Sequence, residues 1–274
     1  MRAIDSDYFE KIRHFVNQDS YSNADKKTDY TNLIDCNDYS NEKIKHDIFE
    51  HLKNFGHCVL QLNKEIEYTI EDITAFLSSQ FGEPMNDRNR KKLAYTQIKS
   101  ERNPEAYVTS NWTQPMHTDE GHTSIYPEII GMYCYKPAKL GGVSILVEFE
   151  RLYLALVEKF GEQIDCLFDK KCLDVFSAYG REFKPLLFRK DENKIGISYS
   201  PILGKMYCTD TVFEMYDFIT KYLHNPGNQL RFKLAEKQIL ILDNCRVLHA
   251  RTAFSPQCDR LLYRYWFSRN DLHG

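Results

Sequence analysis

Residues 238–267 read QILILDNCRVLHARTAFSPQCDRLLYRYWF. Gln238–Leu242 is an apolar strand, Asp243-Asn244 turns it, Val247–Arg251 is a second strand and Leu261–Phe267 a third. Aliphatic and aromatic runs of this length, bounded by turn-forming residues, are strand signals. In the last strand Leu262, Arg264 and Trp266 fall on one face, with Arg260 in phase with them.

Upstream, Ile44, Ile48 and Leu52 recur at helical spacing and Gly56 follows as a stop. Cys58–Leu62 reads as a buried strand, and Thr69 caps a helix that ends near Phe81-Gly82. Ile129–Tyr135 and Val143–Val147 are further strands, separated by Pro137 and Gly141-Gly142. Phe149–Phe160 has a helical stripe of Tyr153, Leu156, Val157 and Phe160, closed by Gly161. Short β-like runs at 186–188, 195–199 and 206–208 precede a helix capped near Thr209. Early helices followed by many short strands imply a mainly β fold with helical decorations, a double-sheet jelly roll or closed barrel. Residues 1–42, polar from 17 onward, are expected as an N-terminal arm or surface segment, with 43–274 as a single domain. Loops at 83–111 and 177–194 are polar enough to serve as a lid.

The chain has 274 residues, 27% charged and 42% hydrophobic, with a formal net charge of −3. That is a globular composition without the basic footprint of a nucleic-acid binder. The one basic run, 88–92, reads as a solvated loop. Eight Cys without a C-x-x-C pair suit reduced, buried thiols. No apolar run approaches a membrane span, and the first residues lack an apolar signal core. The expected location is the cytoplasm.

The chemical lead is His117-Thr118-Asp119. On a strand, residues i and i+2 share a face, so an imidazole and a carboxylate would project together. His122, three beyond Asp119, would face away. An H-x-D element alone is weak and matches many core histidines. His249, in the strand-like run 247–251, supplies a third ligand. Two His and one carboxylate form the facial triad of non-haem Fe(II) oxygenases, with positions left open for cosubstrate and dioxygen. Arg260 lies eleven residues after His249 and Arg264 fifteen. A dicarboxylate cosubstrate needs a cation at its far end, and Arg binds carboxylates bidentately. Trp112, Gln114, Glu120, Ser124 and Tyr199 are further pocket candidates, with core packing the alternative for the aromatics.

From about residue 43 to 267 the chain resembles the TauD/TfdA-like Fe(II)/2-oxoglutarate-dependent dioxygenases, the taurine dioxygenase and clavaminate synthase-like group. The likeness runs in order through Gly56-His57-Cys58-Val59-Leu60, Phe81-Gly82-Glu83-Pro84, the H-x-D of 117–119, and Pro137 to Ser144. It ends on Asp243-Asn244, His249, Arg251 and Phe254, then Arg260 and Arg264. The resemblance implies a double-stranded β-helix (jelly roll) core. It implies His117, Asp119 and His249 as Fe(II) ligands and Arg260 as the partner of the distal carboxylate of 2-oxoglutarate. Ser144 stands where the family has a Thr bonding that carboxylate, and Arg264 where relatives meet acid groups of substrate or cosubstrate. Because Asp119 retains the carboxylate that related halogenases lack, hydroxylation is favoured over halogenation. The implied activity is hydroxylation or desaturation of a small polar molecule, such as an amino acid or other zwitterion, using dioxygen and releasing succinate and CO2. No nucleic-acid or membrane partner is expected. Two alternatives stand beside this reading: a jelly-roll binding or regulatory protein without catalysis, and an oxygenase acting on a protein or nucleic acid.

Overall fold

The computed structural model describes residues 1–8, 32–37, 40–85, 93–102, 104, 107–123, 126–177, 180–191, 194–201 and 205–268. The basic run 88–92, Ser124 and most of the polar stretch 17–42 lie outside the described residues. In chain order the elements begin β1 (Arg2–Ile4), β2 (Leu33–Asp35), α1 (Asn41–Phe55), β3 (His57–Gln61) and α2 (Ile70–Phe81). They continue with β4 (Thr96–Ile98), β5 (Gln114–His117), β6 (Ile129–Lys136), β7 (Ser144–Glu148) and α3 (Phe149–Phe160). The second half holds β8 (Leu173–Ser177), β9 (Gly180–Lys184), β10 (Leu187–Asp191), β11 (Lys194–Ile197), β12 (Lys205–Cys208) and α4 (Asp210–Leu223). Last come β13 (Leu230–Phe232), β14 (Gln238–Asp243), β15 (Val247–Arg251) and β16 (Leu261–Phe267).

Two sheets, antiparallel except for the parallel edge strand β2, carry the jelly-roll core. The larger runs β2-β3-β14-β6-β16-β4 and the smaller β13-β7-β15-β5. Strand alternation decides what lies where. On β14, Ile239 and Ile241 pack with Ile44, Ile48 and Leu52 of α1 and with Ile73 and Leu77 of α2. Leu240 and Leu242 turn the other way, into a layer with Leu146 and Val247 of the smaller sheet. The outer face of the smaller sheet, through Ile145, Val147 and Leu248, packs with α3, α4 and a sheet of order β1-β12-β8-β9. Each fully buried aliphatic side chain in these layers contributes about 1.5–3 kcal/mol.

The helices start and stop where local chemistry dictates. Ser40 caps α1, and Gly56 ends it at φ 74. Thr69 and Asp72 form a reciprocal capping box on α2, and Thr209 caps α4.

Two expectations are revised. The buried stripe of α3 is Phe149, Leu152 and Leu156, while Val157 faces solvent. One residue is about 100° of helix, enough to leave the buried side. The stretch 177–194, read as lid loop, contains β9 and β10, with Lys184 buried at the end of β9. Parts of 1–42 belong to the sheets: β1 pairs with β12 and buries Ile4, and β2 lies parallel to β3. Among the described residues, no helix is long and apolar enough to cross a membrane.

Candidate active site

The two imidazoles meet because of register. His117 ends β5 and lies directly opposite His249 on β15, with ring centroids 4.3 Å apart. Cross-strand partners on one face bring their side chains together. Asp119 joins them from beyond the strand: His117 Nε2 is 3.3 Å and His249 Nε2 3.5 Å from its Oδ1. All three residues are buried, and their nearest ligand atoms lie within 4.8 Å of one another. His122, also buried, is not part of this group.

Asp119 owes its position to a different device from the strand alternation used to find it. β5 stops at His117, and Glu120 adopts φ 55, uncommon for a residue with a side chain. The ladder is continued by a side chain. The Asp119 N–H donates to Asn244 Oδ1 at 2.8 Å, while Asn244 Nδ2 donates to Asp119 O at 3.0 Å and to Pro127 O at 2.8 Å. On the opposite side, Thr118 N–H donates to Tyr199 O at 2.7 Å and Tyr199 N–H to Thr118 Oγ1 at 3.0 Å. Lys184 Nζ donates to Gly121 O, Ser198 O and Ser198 Oγ. Burial pushes its ammonium down to about 7, with the Glu182 carboxylate working against the shift. Gly121 has to be glycine, since a Cβ there would lie 2.5 Å from Thr118 Oγ1 and 2.7 Å from Tyr199 O.

The unused atoms of the triad are mostly engaged. His117 Nδ1 lies 2.9 Å from Pro115 O, which fixes the tautomer that leaves Nε2 as an acceptor. Asp119 Oδ2 accepts from Trp266 Nε1 at 2.7 Å and from Arg264 Nη1 at 3.0 Å. Oδ1 is left as the oxygen shared with the imidazoles. Burial raises the Asp119 carboxyl, but Arg264, followed by His117 and His249, holds it well below the usual carboxylate range. Burial, reinforced by His117, lowers the His249 imidazole and keeps it neutral. An ionised carboxylate between two imidazoles is a donor set for a divalent metal, and Fe(II) fits it.

Beside the triad is a pocket to which Gln114, Ser144, Arg260 and Arg264 contribute, with Val108, Met132 and Leu262 as apolar wall. Gln114 Nε2 reaches His117 Nε2 at 3.0 Å. Arg260 is 5% exposed and its Nη1 has no hydrogen-bond partner among the described residues. It stacks 5.1 Å from the Phe254 ring centre, and burial pushes its guanidinium down to about 10. Gly142, at φ 67, leaves room for it: a Cβ there would come 3.2 Å from Arg260 Nε. Arg264, by contrast, is paired with Asp119 and lies 4.4 Å over the Trp266 ring.

Among the other pocket candidates, Tyr199 is fully buried and stacked on Tyr216, so only its backbone serves the site. Trp112 is 54% exposed on the loop before β5. Sequence reasoning missed the functions of Asn244 and Trp266. Trp266 is in phase with Arg264, so alternation pointed to it, whereas the reach of Asn244 depends on a tertiary contact.

Asn244→Ala leaves the buried Asp119 N–H and C=O without partners. It is expected to lower stability by about 2–4 kcal/mol in urea unfolding. It is also expected to weaken Mn(II) binding by about 10-fold or more, the usual consequence of losing support behind a metal ligand. Unchanged Mn(II) affinity would show that Asp119 holds its place without Asn244.

With this geometry in view, the chain belongs to the Taurine catabolism dioxygenase TauD, TfdA family, whose model matches residues 26–266. A curated relative, the taurine hydroxylase-like protein SAT17 of Stachybotrys chartarum, is 27% identical over 158 residues, 51% of this chain. The chain spans 37% of that relative's length. Among solved structures, asparagine oxygenase in complex with Fe(II), 3-hydroxyasparagine and succinate superposes with TM-score 0.68 at 15% identity, covering 83% of this chain and 80% of that one. The non-heme iron oxygenase OrfP with Fe and alpha-ketoglutaric acid superposes with TM-score 0.67 at 16% identity, covering 84% and 80%. At these identities the likeness establishes the shared fold.

Proposed function

We propose that the protein is an Fe(II)- and 2-oxoglutarate-dependent oxygenase that hydroxylates, or desaturates, a small amino-acid-like substrate. One observation carries this reading. Three buried ligand atoms converge beside a pocket that also holds a buried guanidinium with no acid partner among the described residues. His117 Nε2, Asp119 Oδ1 and His249 Nε2 hold the metal. Arg260 and the Ser144 hydroxyl take the distal carboxylate of 2-oxoglutarate. Arg264 orients Asp119 and, from the same pocket, presents its charge to an acid group of substrate or cosubstrate. Bound iron and 2-oxoglutarate supply oxidative C–H chemistry with dioxygen, and succinate and CO2 are released.

The chain's own contribution is orientation and exclusion of water. Trp266 and Arg264 occupy Asp119 Oδ2, so one oxygen is offered to the metal. The apolar wall of Val108, Met132 and Leu262 keeps the reacting space dry. An amino-acid substrate accords with two fold relatives, asparagine oxygenase with hydroxyasparagine and OrfP with (3S)-hydroxy-L-Arg. The unit carrying this activity is residues 43–274, with β1 and β2 added to it as edge strands. Five of the eight thiols are buried as small apolar groups, which suits the cytoplasm.

The test is succinate formation with Fe(II), 2-oxoglutarate and a panel of free amino acids and their amides. At least one is expected to raise turnover about 10-fold or more over the substrate-free rate, as binding in a site tuned to its substrate does. If no member stimulates turnover while the substrate-free reaction persists, the amino-acid assignment is lost and the oxygenase assignment is kept. If there is no metal-dependent succinate at all, the enzyme reading itself falls.

A further inference from the structure

Arg251 has no part in the site as assigned so far, and its surroundings are not those of a structural arginine. It lies two residues beyond His249 on β15, so both side chains point to the same face of the strand. In register it stands opposite Ser144 on β7 and opposite Gln114 on β5. It lines the same pocket as Ser144, His249 and Arg260 and is 5% exposed. One nitrogen, Nη2, donates to the carbonyls of Ser110 and Trp112. The other two, Nε and Nη1, have no hydrogen-bond partner among the described residues. Its guanidinium carbon lies 4.8 Å from the centre of the Phe254 ring, and that of Arg260 lies 5.1 Å from the same centre. Two buried cations thus share one aromatic ring, and among the described residues neither meets a carboxylate.

Buried N–H donors without acceptors are costly, and two like charges in one dry pocket repel. A clamp on the 110–112 loop would need Nη2 alone. An anion entering the pocket gives Nε, Nη1 and Arg260 Nη1 their missing acceptors and relieves the repulsion. We propose that Arg251 is a second guanidinium of the cosubstrate site, sharing the distal carboxylate of 2-oxoglutarate with Arg260 and Ser144. This rests on the assignment of the pocket to 2-oxoglutarate and adds a residue to it. Two cationic forks on one carboxylate make the site selective for 2-oxo diacids over 2-oxo monoacids.

Calorimetric binding to the Mn(II)-loaded protein tests this without turnover. Two ligands are compared: 2-oxoglutarate, and 2-oxopentanoate, which has the same chain with a methyl in place of the distal carboxylate. Arg251→Gln is expected to weaken 2-oxoglutarate by about 10- to 100-fold, the usual effect of losing a charge-assisted contact. It should leave 2-oxopentanoate within about 2-fold, since that ligand makes no distal contact. Arg251→Lys, which keeps the charge and most of the stem, should give a smaller loss, again confined to the diacid, and serves alone if the Gln variant does not fold. Equal losses for both ligands would mark Arg251 as a structural clamp, and no loss for either would remove it from the site; both outcomes overturn the proposal. If the wild-type protein binds neither keto acid, the 2-oxoglutarate reading fails first, which is a distinguishable result.

Discussion

Asp119→Ala is expected to abolish iron-dependent succinate formation and to destabilise the fold, whereas His249→Ala abolishes turnover and leaves stability nearly intact. The contrast follows from what each side chain touches. Asp119 is the one anion of the triad and the shared acceptor for Trp266 Nε1 and Arg264 Nη1. Removing it strips the metal site of its only negative charge and leaves Arg264 beside two imidazoles with no acid between them. A unit charge at about 4 Å and an effective dielectric near 20 is worth about 4 kcal/mol, or about three decades of metal affinity. The stranded guanidinium adds about 3–5 kcal/mol of lost stability, as when one member of a buried pair is deleted. His249 is ionically simpler. Its Nδ1 has no hydrogen-bond partner among the described residues, so truncation removes a metal ligand and leaves a cavity without orphaning a charge. Thermal melts of the two apo variants and Mn(II) titrations check both halves. Turnover above about 1% of wild type in either variant would contradict the triad, and equal melting points would contradict the role of Asp119 as the anchor of Arg264 and Trp266.

How much of this was legible in the chain follows from the range of each signal. Helices α1, α2 and α4 could be read because Ser40, Thr69 and Thr209 cap them locally and their apolar stripes are long. β14, β15 and β16 could be read because both faces of an inner strand are buried, so the apolar runs are nearly continuous. β8 and β9 were not, because Asp174 interrupts the short apolar run of β8 and β9 is mostly exposed, although the two pair locally as a hairpin. The three residues of the triad were selected by spacing and resemblance, yet the strand argument for Asp119 was incomplete. It stands past the end of β5, fixed by a side chain 125 positions away. Arg264 illustrates the same limit. Alternation put it on the inward face, but only the fold reveals that Asp119 is the acid it meets. Sequence fixes which face a side chain takes; the partner it finds there is set by register and by turns whose contacts span the chain.

Arg260 provides the sharpest energetic test, because its deletion should have opposite consequences in the empty and the loaded protein. Buried pairs stabilise when both members are present, and an arginine matched to an acid of the same chain normally costs stability when removed. Arg260 has no such acid among the described residues, its Nη1 is unsatisfied, and burial has moved its guanidinium down to about 10. Its favourable contact among the described residues, the stack on Phe254, is worth about 0.5–2 kcal/mol, and a methionine stem of similar reach recovers part of it. Arg260→Met is therefore expected to melt at the same temperature as wild type or higher when no cosubstrate is present. With 2-oxoglutarate the order reverses. A bidentate guanidinium–carboxylate contact of about 3–4 kcal/mol corresponds to a dissociation constant raised about 100- to 1000-fold. Wild type at 100 times its dissociation constant gains about 2.7 kcal/mol of stability from the ligand, and the variant at the same concentration gains almost none. Melting curves of both proteins loaded with Mn(II), with and without 2-oxoglutarate, read the two effects in one experiment. A variant that loses stability in the absence of ligand would mean that Arg260 answers to an acid of the protein, and one that keeps its affinity within about 3-fold would move the distal carboxylate elsewhere in the pocket.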